Sequence, residues 1–150
     1  MTIDWIFKSY EELTKSELHE LMMLRQAVFV VEQNCPYQDA DDKDNFSHHL
    51  LGYDTDKRLV AYLRLVQPGI SYKEMSFGRI VTASSQRRKG LGKFLMIKGI
   101  EEAFKLYNTK RNRISAQTHL VSFYTEFGFK STGKQYLEDD IPHTEMLLEG

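Results

Sequence analysis

The sequence predicts a mixed α/β or α+β fold, with helices on both faces of a sheet. Three observations predict it. Short apolar stretches with strand character recur along the chain. Two longer stretches repeat their apolar residues every three or four positions. The resulting order is β-α-β-β-β-α-β-α-β-β. Strands that follow one another without an intervening helix exclude a doubly wound parallel sheet.

Each element has its own signal. Ile3, Trp5 and Phe7 alternate with Asp4 and Lys8, giving the first strand. Thr14-Lys15-Ser16-Glu17 has capping-box spacing. Leu18, Leu21, Met22, Arg25, Val28 and Phe29 then share one helical face, and the pattern breaks near Val31. Residues 34–47 form a polar, acidic loop. HHLLGY and RLVAYLRLV are two strands, with Asp54-Thr55-Asp56-Lys57 as the hairpin turn between them. Pro68 and Gly69 mark a loop before the strand MSFGRIVT. The next helix, KFLMIKGIEEAFKLY with Leu91 just before it, places Leu91, Phe94, Ile97, Ile100, Phe104 and Tyr107 on one face. RISAQT is a short strand, and LVSFYTEFGF holds a short helix stopped by Gly128. From Lys130 to Glu149 two strands flank a turn near Asp140, Ile141 and Pro142.

Composition bounds the function. The 150 residues, without repeats or a Pro/Gly/Ser linker, read as one domain over 1–150. A net charge of -1 excludes a general polyanion binder, so no nucleic acid is expected. Cys35 is the one cysteine, which excludes an internal disulfide and a zinc ribbon and fits a reducing compartment. No apolar run approaches the ~18 residues of a membrane span. The start of the chain lacks the basic and apolar regions of a signal peptide. A soluble, cytoplasmic protein is the expectation.

The sharpest feature is Arg87-Arg88-Lys89-Gly90-Leu91-Gly92, between a strand and a strong helix. Two glycines let the backbone approach an anion closely. The first helical turn offers amides without intrahelical partners, and the helix dipole adds positive potential. Arg87, Arg88, Lys89 and Lys93 add charge, completing a pyrophosphate cradle. Neither well-known phosphate motif fits. G-x-x-x-x-G-K-[ST] needs a glycine where Arg87 stands and a Ser or Thr at Phe94. G-x-G-x-x-G needs a glycine at Leu95.

R-x-x-G-x-G after SFGRIVT, opening a long helix, resembles the acetyl-CoA signature of the GNAT superfamily of N-acetyltransferases. About 30 residues later, LVSFYTEFGF resembles the second motif of that superfamily. RQAVFVVEQNCPYQDADDKD, AQTHLVSFYTEFGF and YLEDDIPH resemble its ElaA-type branch. The resemblance covers nearly the whole chain. It implies a mostly antiparallel sheet splayed between its two central strands, with acetyl-CoA laid in the gap. One splayed strand is then Phe77 to Thr82, with Ile80, Val81 and Thr82 facing the pantetheine arm. The other is RISAQT. The backbone from Arg88 through Gly90, Leu91 and Gly92 to Lys93 holds the pyrophosphate, and Arg87 adds charge.

The resemblance also implies a direct attack by an amine on the thioester in a ternary complex. Tyr124 matches the position that protonates the departing thiolate. Its alternative role is packing with Phe123 and Phe127. A lysine-like amine is only ~0.1% neutral at pH 7.4, so deprotonating it accounts for about 4 kcal/mol of the barrier. Many relatives place a glutamate on the strand before the phosphate loop for this step. MSFGRIVT has none, and Glu74 lies just upstream. The candidates for the base are Glu32, His119 and His143. His143 follows Ile141-Pro142, and histidine titrates near the required pH. His119 has the alternative of capping the helix of Tyr124.

Arg25 interrupts an apolar helix face and calls for a carboxylate partner among Asp39, Asp41 and Asp42. His48 and His49 adjoin the acidic loop without a metal-ligand spacing, so no metal is expected. Cys35 is placed near the acceptor cleft. If the acidic loop borders that cleft, it favours a cationic amine as acceptor. Dimers are common in the superfamily, which leaves a homodimer open. The competing reading is a module that binds or senses acyl-CoA without turnover, and the missing strand glutamate favours it. Acyl-homoserine-lactone synthases share the fold and an arginine followed by acidic residues, but 150 residues leave little room for their acyl-chain pocket.

Overall fold

The computed structural model describes residues 2–150. Among the described residues, seven strands form two antiparallel sheets. The first holds β1 (Asp4–Ser9), β2 (Ser47–Tyr53), β3 (Leu59–Val66) and β4 (Ser76–Thr82) in that order. The second holds β5 (Asn112–Gln117), β7 (Ile141–Leu148) and β6 (Lys130–Glu138), with β7 in the middle. The expected element order and splayed sheet are both present.

Side-chain alternation along β2 and β3 gives the first sheet two buried faces. Leu50, Leu63 and Leu65 point to one core, and Leu51 and Tyr62 to the other. α2 (Leu91–Tyr107) covers the first face and α1 (Lys15–Arg25) the second. The short α3 (Val121–Thr125) packs Tyr124 into the α2 core.

α1 starts as its capping box requires. Thr14 Oγ1 accepts from Glu17 N–H at 3.1 Å, and Glu17 Oε1 accepts from Thr14 N–H at 2.8 Å. The helical run ends at Glu32, beside the break expected near Val31, but from Gln26 to Glu32 it widens into a π-helical turn. Gln33 and Cys35 donate to carbonyls five residues back, on Val28 and Val30. Such widened turns collect at functional sites.

The face of α2 also needs correction. The sheet receives Leu91, Leu95, Met96, Gly99 and Ala103, whereas Phe94, Ile97 and Phe104 are exposed. Small residues decide this. A Cβ on Gly99 would lie 2.8 Å from Leu63 Cδ2, so only glycine lets the helix sit this close to β3. The larger apolar stripe is turned outward. The β6–β7 turn lies one residue earlier than expected, at Asp139 and Asp140. Both have positive φ (51° and 63°), as a two-residue hairpin turn of matching twist demands.

Candidate active site

β4 and β5 meet at one point. Met75 and Asn112 form a single parallel bridge, and Arg113 N–H donates to the Met75 carbonyl at 3.1 Å. The fully buried Asn112 then takes over, its Oδ1 accepting from Phe77 N–H at 3.1 Å. Beyond this side-chain wedge the strands part. A cleft of about 600 Å³ opens between them, lined by Phe77 to Thr82 on one wall and Ile114, Ser115 and Gln117 on the other. Ala83 N–H donates to Val60 on β3, so by alternation the amide of Thr82 faces the gap.

The basic loop lies at the start of α2. Arg88 and Gly90 have positive φ (66° and 78°), which turns the chain sharply into the helix. A Cβ on Gly90 would meet nothing within 4 Å, leaving the approach open. Lys93 and Phe94 N–H return to the Gly90 carbonyl at 3.2 and 3.3 Å. The amides of Gly90, Leu91 and Gly92 precede any intrahelical acceptor. Leu91 is buried, so only its backbone is available here. The four basic side chains are not equivalent. Arg87 pairs with Glu32 across the mouth of the cleft, and Lys93 pairs with Glu126 at 3.3 Å. Arg88 and Lys89 are exposed.

Tyr124 and His143 both line the cleft and are both 6% exposed. Burial alone holds the Tyr124 phenol above its ordinary pKa. Its ring packs edge-on against Phe123 and Phe129. His143 Nδ1 lies 2.7 Å from the Ile141 carbonyl, which can only accept. Neutral His143 therefore carries its proton on Nδ1 and leaves the Nε2 lone pair free. Nε2 faces Glu138 Oε2 at 3.5 Å, a partner for the protonated ring. The remaining candidate bases differ. Glu32 lines the cleft, but its carboxylate is engaged by Arg87. His119 is an exposed cleft residue and caps no helix. Glu74 is turned away to Arg113 (2.9 and 3.0 Å), which holds its pKa down at about 2. Cys35 lies in the cleft wall with Sγ 3.8 Å from the Asp139 carbonyl.

The acidic loop behaves otherwise than its composition suggests. Arg25, fully buried, binds Asp39 through Nε (2.6 Å) and Asp44 through Nη1 (2.7 Å). Asp41 takes Arg64 instead, at 2.6 and 3.0 Å, and Asp42 is exposed and belongs to neither. Arg79 reaches Asp39 (2.8 Å) and Asp41 (3.5 Å). Burial pushes the Asp44 carboxyl up, but Arg25 and Arg64 together hold it below its ordinary pKa. Three of the loop's four aspartates are thus neutralised by three guanidiniums, and the exposed fourth, Asp42, is not among the residues lining the cleft, so the loop turns no free negative charge toward an acceptor there. His49 closes the network, with Nε2–H donating to the Asp44 carbonyl (3.0 Å) and Nδ1 accepting from Tyr62 O–H (2.7 Å). Apart from Glu32, which Arg87 engages, the exposed acidic groups lining the cleft are Glu138, at the end of β6, and Asp139, in the turn that follows. The roles of Arg64 and Arg79 had a signal in the sequence: like Arg25, each is a charge inside an apolar element.

The acetyltransferase (GNAT) domain family model matches residues 11–149. A UPF0039 protein of Synechocystis is 42% identical over 148 residues, covering 99% of this chain and 96% of that one. The crystal structure of an acyl-CoA N-acyltransferase from Pseudomonas aeruginosa superposes with a TM-score of 0.92 at 42% identity, over 97% of this chain and 99% of that one. The crystal structure of Escherichia coli ElaA gives 0.90 at 39%, over 99% and 100%. Among the described residues no helix is long and apolar enough to cross a membrane.

Proposed function

The chain belongs to the GNAT acetyltransferase family, which transfers acyl groups from coenzyme A thioesters, and we propose that it moves an acetyl group from acetyl-CoA to a primary amine. One observation carries this reading: the β4–β5 gap is lined by two buried side chains able to carry protons, Tyr124 and His143, and by Arg87, three residues before the amide-rich start of α2 at Gly90.

The residues fit such a ligand. The amides from Gly90 to Gly92, with Arg88 and Lys89, would hold the pyrophosphate, and the gap-facing backbone of Ile80 to Thr82 would meet the pantetheine arm. Bound there, acetyl-CoA supplies an activated carbonyl and a thiolate leaving group. The chain's own groups handle the protons. His143 Nε2 takes a proton from the acceptor's ammonium, freeing the neutral amine to attack, and Glu138 steadies the imidazolium that results, while the second proton the nitrogen sheds on forming the amide replaces the one Tyr124 gives up. Tyr124 O–H donates to the leaving sulfur, and its raised pKa keeps the phenol protonated through neutral pH. Glu32 has a different part in this reading. Its pairing with Arg87 spans the cleft mouth, and ligand phosphate would compete for that arginine. A cationic acceptor is supported by Glu138 and Asp139 rather than by the acidic loop.

The absence of a carboxylate on β4 and the engagement of Glu32 favour the competing reading, a CoA-binding module without turnover. Calorimetry with CoA, paired with thiol release from acetyl-CoA over a panel of primary amines, separates the two. Binding with amine-dependent release supports the transferase. Binding without release from any amine supports the module.

A further inference from the structure

We infer that Arg79 is a positioning residue: its grip on Asp39 holds a bulge in β4, and with it the backbone that faces the cleft. The inference rests on the acyl-transfer reading above. Arg79 and Ile80 stand opposite Leu63 alone, because the β3–β4 register passes from Tyr62↔Val81 to Arg64↔Gly78. Such an insertion leaves a residue unpaired and bends the strand. Arg79 takes φ 51°, a left-handed conformation that a side chain disfavours. It persists only where the surroundings over-determine it.

Asp39 supplies that constraint. Arg79 Nη2 donates to the Asp39 carbonyl at 2.9 Å, and Nε lies 2.8 Å from Asp39 Oδ1, an ion pair without hydrogen-bond alignment. Arg25 holds the same two groups from the other side, with Nε 2.6 Å from Oδ2 and Nη2 3.0 Å from the carbonyl. One aspartate therefore ties the end of α1 to the bulge. Arg25 is fully buried, which makes the anchor rigid, while the Arg79 side chain is 25% exposed. Removing Arg79 leaves Asp39 still paired with Arg25. The residues just after the bulge, Ile80, Val81 and Thr82, line the cleft. A shift of about 1 Å in groups that orient a substrate costs about 10²-fold in rate.

Two substitutions separate positioning from direct contact. Arg79→Ala loses the grip and keeps the unfavourable φ. Arg79→Gly loses the grip but adopts that φ freely. With acetyl-CoA and an active amine, Arg79→Ala should lower kcat about 10²-fold with little change in KM for the thioester, and Arg79→Gly should recover to within about tenfold of wild type. Hydrogen exchange on the unliganded protein gives a readout independent of activity. The amide of Val81, which by the same alternation bonds to β3 beside the bulge, should exchange faster in Arg79→Ala and near the wild-type rate in Arg79→Gly. If the alanine variant does not fold, Arg79→Lys, which keeps a charge without the two-point grip, takes its place. Equal loss in both variants, or no loss in either, overturns the inference. If wild type releases no thiol with any amine, the transferase reading falls instead, and the exchange rates alone decide whether Arg79 holds the bulge.

Discussion

Two sets of basic residues in this molecule do opposite work. At the start of α2, Arg88, Lys89 and Lys93 stand on the surface, in reach of an anion. Behind β4, Arg25, Arg64 and Arg79 are locked to Asp39, Asp41 and Asp44. The difference is burial. An exposed cation keeps its hydration until a ligand replaces it, whereas a buried one must be paired in the folded state. The first set suits binding. The second fixes the shape of the cleft wall and contributes little charge to it. Tyr124 is a third kind of group, a buried hydroxyl whose raised pKa owes nothing to a hydrogen bond or a charge.

That third group gives the largest expected effect. Tyr124→Phe keeps the ring packing and should lower kcat by about 10²–10⁴-fold while CoA binding persists. Steady-state rates with chemistry shown to be rate-limiting check this, and near-wild-type kcat would leave Tyr124 a packing residue. Next comes the buried set. Arg25→Ala breaks two buried pairs, leaving Asp39 to Arg79 alone and Asp44 to Arg64 alone, and should cost about 3–5 kcal/mol in denaturant unfolding. A loss under about 1 kcal/mol would mean the network does not hold the fold.

The pH dependence sharpens the same contrast. Burial depresses His49 from 6.5 to about 4. Between those values the unfolded chain binds a proton that the folded chain refuses, so stability falls as pH drops through that window, by up to about 3 kcal/mol. Asp41 and Asp44, also held below their ordinary values, add a further loss below about pH 4. Thermal melts across pH 3 to 8 should show both stages, and His49→Gln should flatten the upper one. The smallest effect on stability belongs to the surface set. Lys89→Ala should change it by no more than about 0.5 kcal/mol, yet weaken CoA binding measurably.

The sequence exposed these two sets unequally. Gly90 is legible because the turn opening α2 holds it at φ 78°, where glycine is favoured for local reasons, and local reasons can be read from neighbours in the chain. The Thr14 capping box and the β2–β3 turn are legible for the same reason. Arg25 announced a buried partner, but which carboxylate it takes depends on residues 14 and 19 positions away folding back. Asn112 wedges the two sheets apart from a position 35 residues beyond Phe77, and nothing local marks it. The face of α2 misled because hydrophobicity pointed to Phe94 and Ile97, while close approach at Gly99 decided the packing. The π-helical end of α1 has no local breaker, so nothing among its neighbours in the chain marks it.

The central claim, that the gap between β4 and β5 binds an acyl-CoA by its phosphates at the start of α2, has one direct test. A Cβ at Gly92 would meet the Phe123 ring at 3.5 Å, an ordinary contact, so small side chains there should leave the fold intact. CoA is titrated calorimetrically into wild type, Gly92→Ala and Gly92→Asp. The account predicts stoichiometric binding to wild type, weakened about tenfold or more by the aspartate, whose charge enters the pyrophosphate site, and less by the alanine. Folded protein that binds no CoA, or binds it equally well with Asp at position 92, would contradict it.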